Sequence, residues 1–267
     1  MSRMVMVFGG ARGIGATVAR AFARAGDQVA IAARSQAEVT TAAREIGATG
    51  HVCDILDAVA VEAMMAAAGT PDMVINAAAI QGGRGGIGPV WDTDPEAVAM
   101  TIGINLTGAF NVTRAALRAM RPAGKGTLVQ FSGGGSTGAR PGFAAYGASK
   151  TGVLRLVETA QAELDAEGSG IRVFALAPGA VATAMTREVL DNADRVPGEV
   201  ADAGDIADGR AGVPPEMAAE LCLFLATEAA APLAGRLTHV REAYRDYVAR
   251  DLGSDAGRLR RADYPRA

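Results

Sequence analysis

Tyr146 and Lys150 are four residues apart in a segment of helical period, Tyr-Gly-Ala-Ser-Lys, so both side chains lie on one face of one helix. A phenol beside an ammonium can pass a proton if the positive charge lowers the phenol pKa, which is near ~10 in water. Lys125 and Lys150 are the only two lysines among 26 basic residues, so arginine is used almost everywhere that any cation suffices. A lysine kept beside a tyrosine suggests that a compact ammonium is needed, to depress the phenol or to bind hydroxyl groups. The competing reading is a surface Tyr and Lys meeting at helical spacing by coincidence. A second candidate is Gly9-Gly10-Ala11-Arg12-Gly13-Ile14-Gly15, which follows an apolar strand and opens a helix. There, backbone amides and a helix N-terminus face outward and could seat a pyrophosphate, glycine being needed because a Cβ would block the approach. Its Gly-xxx-Gly-x-Gly spacing is also that of a tight β-to-α turn with no ligand.

The elements that must position these groups alternate along the chain. Met4–Phe8, Gln28–Ala33, His51–Cys53, Met73–Asn76, Thr127–Phe131, Ile171–Leu176 and Arg236–Val240 read as strands. Ile14–Ala25, Gln36–Ile46, Ala58–Ala67, Pro95–Met120, Ala145–Glu167 and Pro215–Thr227 read as helices. Short apolar runs between longer helical ones indicate a parallel sheet covered on both faces. No repeat or Ser/Gly linker divides the series, so one domain over 1–240 is expected, with a C-terminal extension over 241–267 whose seven arginines and five acids read as solvated or packed on a partner subunit. The Gly-rich 81–89 reads as a mobile loop and 184–213 as a lid over the carboxyl edge of the sheet.

Composition narrows the function classes. With 267 residues and 49% hydrophobic content there is ample material for a core, and a net charge of −3 suggests neither nucleic acid nor an anionic membrane as partner. Cys53, Cys222, His51 and His239 are too scattered for a metal site or a disulfide framework. Without a long apolar run or a cleavable leader pattern, the chain reads as soluble and cytoplasmic.

From Arg3 to Val240 the chain resembles the short-chain dehydrogenase/reductases. The motifs carrying the likeness are the glycine turn, Asp54 after the third strand, Asn76-Ala77-Ala78-Ala79 after the fourth, Asn105, Tyr146-Gly-Ala-Ser-Lys150, and Pro178-Gly179-Ala-Val181-Ala-Thr183, all in order. The resemblance implies a doubly wound α/β Rossmann sheet of seven parallel strands in order 3-2-1-4-5-6-7. It also implies an oxidoreductase moving a hydride between a nicotinamide cofactor and a carbonyl or secondary alcohol.

By the same resemblance Tyr146 is the general acid/base, Lys150 and the oxidised nicotinamide favour its phenolate, and Asn105 holds a proton-relaying water. Bringing the phenol to neutrality takes about 4 kcal/mol of preferential phenolate stabilisation. Gly9, Arg12, Gly13, Ile14 and Gly15 would take the pyrophosphate side. Asp54 and Ile55 would hold the adenine, Asn76, Ala77 and Ala78 would line the adenosine cleft, and Pro178, Gly179, Val181 and Thr183 would hold the carboxamide. Where an NAD enzyme usually carries an acid after the second strand, this chain has Arg34, which with Arg12 could clamp a 2′-phosphate. NADP(H) is therefore favoured over NAD(H), two solvated arginines being the alternative.

Two departures stand out. The family's Asn-Asn-Ala-Gly is Asn76-Ala77-Ala78-Ala79, and the family's serine, thirteen residues before the tyrosine, is Gly133. Ser132 should point away unless a bulge turns it back, and Ser136 is three residues late. Losing one oxyanion donor costs about 3 kcal/mol, or 10²–10³ in rate. A weakened nucleotide-binding sensor or scaffold, or an enzyme for an imine or activated biosynthetic intermediate, are therefore alternatives. Relatives pair their two long helices, so a homodimer or homotetramer is implied. Trp91 either flanks the site or anchors a loop, and Arg140 and Arg187 either meet an acidic group or lie solvated.

Overall fold

A computed structural model describes residues 2–260. Seven strands form one parallel sheet in the order β3-β2-β1-β4-β5-β6-β7. They are β1 (Met4–Phe8), β2 (Gln28–Ala33), β3 (Thr49–Val52), β4 (Met73–Asn76), β5 (Lys125–Phe131), β6 (Gly170–Ala177) and β7 (Leu237–His239). The helices are α1 (Gly13–Arg24), α2 (Gln36–Ile46), α3 (Ala58–Ala68), the single turn α4 (Gly83–Gly86), α5 (Pro95–Ile102), α6 (Gly108–Met120), α7 (Ala144–Ala166), α8 (Ala184–Asp191), α9 (Val200–Ala207), α10 (Glu216–Leu225) and the turn α11 (Tyr244–Tyr247).

Strand alternation divides the core in two. Val5 and Val7 face a layer that includes Val18 and Phe22 of α1, Ile46 of α2 and Leu221 of α10. Met6 and Phe8 face Val61 of α3, Val112 of α6 and Val157 of α7. Val5, Met6, Val7 and Phe8 are completely buried, as expected for a strand with helices on both sides.

Several boundaries differ from those read in the sequence. β3 runs over Thr49–Val52 instead of His51–Cys53, because its register is set by pairing with Ala30–Ala33 of β2 and its own residues are mostly exposed. The expected helix 95–120 is interrupted at Gly103–Thr107 by a π-helical stretch carrying Asn105. The loop 81–89 contains α4, and the lid contains two helices, α8 and α9. The described part of the C-terminal extension, residues 241–260, packs on its own chain: Tyr244 is buried against Phe224, and the Leu237 amide donates to the Gly257 carbonyl at 2.7 Å along the outer edge of β7; residues 261–267 lie outside the described residues. Among the described residues no helix is long and apolar enough to cross a membrane.

Candidate active site

The carboxyl ends of β1, β4, β5 and β6 converge where strand order reverses between β1 and β4, the usual place for a crevice in such sheets. Gly9 adopts φ +73°, and a Cβ there would lie 2.7 Å from the Ala78 amide nitrogen, so the β1 and β4 loops touch only because residue 9 is glycine. Gly13 opens α1 with φ +54°. A Cβ on it would project into the groove opposite Thr183, 3.9 Å from its methyl carbon. No side chain caps α1 and no acid lies in its first turn, unlike α2, α3 and α5, which Ser35, Asp57 and Asp94 cap. Uncapped amides in a glycine-lined groove fit a pyrophosphate.

Around the groove the expected side chains fall into two groups. Asn76 is buried and engaged: its Nδ2 donates to Gln130 Oε1 at 2.9 Å and its Oδ1 accepts from the Ala78 amide at 3.2 Å, so it holds the Asn76–Ala79 turn in shape. Asp54 Oδ1 accepts from the Leu56 amide at 3.0 Å, Ile55 is buried, and the Ile55 carbonyl accepts from Asn111. Pro178 and Gly179 follow β6, Val181 is buried, and the Thr183 amide donates to Thr186 Oγ1 at 3.4 Å where α8 begins. In contrast Arg34 is exposed and unpaired among the described residues, while Arg12 is held at 3.8 Å by Glu38.

Tyr146 and Lys150 lie on the inner face of α7. Tyr146 is only 7% exposed, packed with Ile87, Phe143, Val189 and Val196, so the loop and lid close over it. Its hydroxyl makes no hydrogen bond among the described residues, and burial raises its pKa to about 12, slightly offset by Arg140. The Lys150 ammonium lies 5.8 Å from the ring centre and donates to the Phe131 carbonyl at 2.9 Å. Burial in turn lowers Lys150 to about 8. Asn105 is fully buried, with Nδ2 donating to the Ile80 carbonyl and Ser149 Oγ, and Oδ1 accepting from the Ile80 amide. Both amide hydrogens are therefore committed, and one Oδ1 lone pair remains for a water.

A family model described as short chain dehydrogenase matches residues 3–194. The chain belongs to the short-chain dehydrogenase/reductase family. It is 35% identical over 243 residues to galactitol 2-dehydrogenase (L-tagatose-forming) of Cereibacter sphaeroides, covering 89% of this chain and 93% of that one. Its structure resembles a single-substitution variant of actinorhodin polyketide ketoreductase solved with NADPH, at TM-score 0.81 and 28% identity over 92% and 98% of the two chains. It also resembles a xylitol dehydrogenase solved with NAD⁺, at TM-score 0.77 and 26% identity over 89% and 96%. The protein is therefore an oxidoreductase of the alcohol/ketone class, with a nicotinamide dinucleotide as the family's cofactor.

Within this short-chain dehydrogenase/reductase the tyrosine hydroxyl lies against the glycine at the serine position. A Cβ on Gly133 would run into Tyr146 Oη, so the phenol fills the space a side chain would take. Ser132 Oγ is buried without a hydrogen-bond partner, and Ser136 is buried, its carbonyl accepting from Thr151. No hydrogen bond links either serine to Tyr146. Trp91 is 90% exposed and Arg187 is exposed as well.

Sequence reasoning missed the groups that tie the site together. Gln130 bridges Asn76 to Thr113 and the Ala109 carbonyl, and the sole signal was one amide within an otherwise apolar strand. Ser149 links Asn105 to the Tyr146 carbonyl from inside the Tyr-Lys motif. The lid is fastened by Glu188 accepting from the Gly83 amide, by Arg84 with Asp194, and by Arg195 with the Ile87 carbonyl and Asp92. None of those pairings has a signal in local spacing.

Proposed function

We propose that this protein is an NADP(H)-dependent carbonyl reductase or alcohol dehydrogenase in which Tyr146 is the general acid/base. The observation that carries the reading is a buried phenol, protonated at neutral pH, against the glycine turn after β5 and one helical turn from a buried ammonium. A bound dinucleotide supplies or accepts the hydride. Tyr146 donates its proton to the substrate oxygen during reduction, the direction that a phenol protonated at neutral pH favours. Lys150 has two donors left after Phe131, suited to ribose hydroxyls. Asn105 serves as a positioning residue, tying α7 through Ser149 to the β4 loop, with one lone pair for a relaying water. Asp54, Ile55, Ala77 and Ala78 border the adenosine end, while the backbone of Pro178, Gly179 and Val181 and the Thr183 hydroxyl border the nicotinamide end. Arg34 with Arg12 supports a 2′-phosphate, hence NADP(H) before NAD(H).

The second reading is a nucleotide-binding sensor, favoured by Tyr146 Oη filling the space beside Gly133 under a fastened lid. Loss of NADPH absorbance against a carbonyl panel, with NADH and Tyr146→Phe in parallel, separates them. NADPH turnover abolished by Tyr146→Phe is expected; binding without turnover would move the assignment to the sensor, and equal use of NADH would remove the Arg34 argument. The exposed Met100 and Phe110 on the α5–α6 segment support a homodimer or homotetramer through the long helices, and a monomer by light scattering would exclude it.

A further inference from the structure

The turn that replaces the serine runs beside one preorganised cation. Arg140 lies in the β5–α7 loop with its guanidinium carbon 3.8 Å from the centre of the Phe143 ring. Its Nε and Nη2 both donate to one oxygen, Oε2 of Glu199 in the lid, at 2.9 and 2.7 Å. The two side chains are only 25% and 27% exposed. Nη1 makes no hydrogen bond among the described residues. It lies along the glycine turn: a Cβ on Gly134 would be 3.7 Å from Nη1, and one on Gly135 would be 3.4 Å from the Arg140 Cβ. The neighbouring Gly133 is the residue whose absent side chain makes room for Tyr146 Oη.

A guanidinium ordinarily engages a carboxylate through two parallel bonds to both oxygens. Here Glu199 uses a single oxygen, so neither partner is saturated. Stacking on Phe143 fixes the plane of the cation whichever anion it holds. The anion already seated there is a carboxylate, from a lid segment just before α9.

We propose that Arg140 is a substrate-binding residue that takes a carboxylate carried by the substrate, in exchange for Glu199, making oxo acids and the matching hydroxy acids the preferred substrate class. The proposal rests on the oxidoreductase reading above. It gives the glycine turn a purpose, since the bare backbone of residues 133 and 134 runs from Tyr146 Oη to Arg140 Nη1.

The test compares 4-oxopentanoate and 2-oxobutanoate with their uncharged amides, by turnover with NADPH and by calorimetric binding to the dinucleotide-loaded protein. The parent should prefer acid over amide by roughly ten- to hundred-fold, the range for a hydrogen bond to a charged group. Arg140→Gln should collapse that ratio towards one, whereas Glu199→Gln, which removes the competing carboxylate, should increase it. A pair that only fastens the lid predicts instead that both variants act alike on acid and amide. An acid-to-amide ratio near one in the parent, or a fall in the ratio with Glu199→Gln, would overturn the proposal. Turnover of amides without acid preference would remove the Arg140 assignment and keep the reductase. Acid-selective binding without any turnover would keep the Arg140 assignment and remove the reductase.

Discussion

Folding carries the Lys150 ammonium out of water with no carboxylate paired to it among the described residues, and the consequence can be measured without any substrate. Its pKa falls from the ordinary 10.5 to about 8 because of burial. Below pH 8 folded and unfolded chains both hold the proton, so folding bears the whole penalty, about 3 kcal/mol. Between pH 8 and 10.5 the unfolded chain holds a proton that the folded chain has released, so stability rises with pH across that window. Lys150→Met removes the penalty but leaves the Phe131 carbonyl without this donor, a cost of about 1–2 kcal/mol. The variant should therefore be more stable than the parent by about 1–2 kcal/mol at pH 7, a rise in Tm of about 2–4 °C. Above pH 10.5 the order should invert. Thermal or urea melts of both ligand-free proteins from pH 6 to 11 provide the assay. Taking the difference cancels the shared alkaline losses from Cys53, pushed up to about 11, and Tyr146, pushed up to about 12. A difference that stays constant between pH 8 and 10.5 would refute the buried-charge reasoning.

Three further outcomes follow from the groove and the glycine turn. Gly13→Ala should cost about 1–2 kcal/mol for a left-handed alanine, and the added methyl group should weaken NADPH binding at least roughly tenfold in a fluorescence titration; unchanged affinity would place the pyrophosphate elsewhere. Arg34→Ala should raise the NADPH Kd by roughly ten- to hundred-fold while sparing NADH, and parallel losses for the two cofactors would show that Arg34 does not read the 2′-phosphate. Gly133→Ala puts a methyl group against Tyr146 Oη and should destabilise the protein by about 1–3 kcal/mol; melts matching the parent would show that the phenol has other space to occupy.

The sheet was legible because each strand is a short apolar run between helical segments, and burial on both faces leaves a parallel strand no other composition. Ends were less legible where hydrogen bonding outweighs hydrophobicity, as at β3, whose Thr49 and Gly50 join the sheet through β2 although neither is apolar. The Tyr146–Lys150 pair and the glycine turn were likewise readable, since helical spacing and the need for a missing Cβ are local properties.

The electrostatic state of the site was not local. From sequence, a lysine four residues from a tyrosine implied a lowered phenol pKa; in the fold Lys150 turns to the Phe131 carbonyl and burial acts on both groups in opposite directions. Arg140 read equally well as a solvated side chain, and only the lid brings Glu199 to it from 59 residues away. Sequence alone determined which elements form and which chemical groups they carry, because both depend on neighbours within a few residues. Tertiary structure alone decided how those groups are charged, paired and covered, because desolvation and ion pairing depend on atoms that only the packed chain brings together.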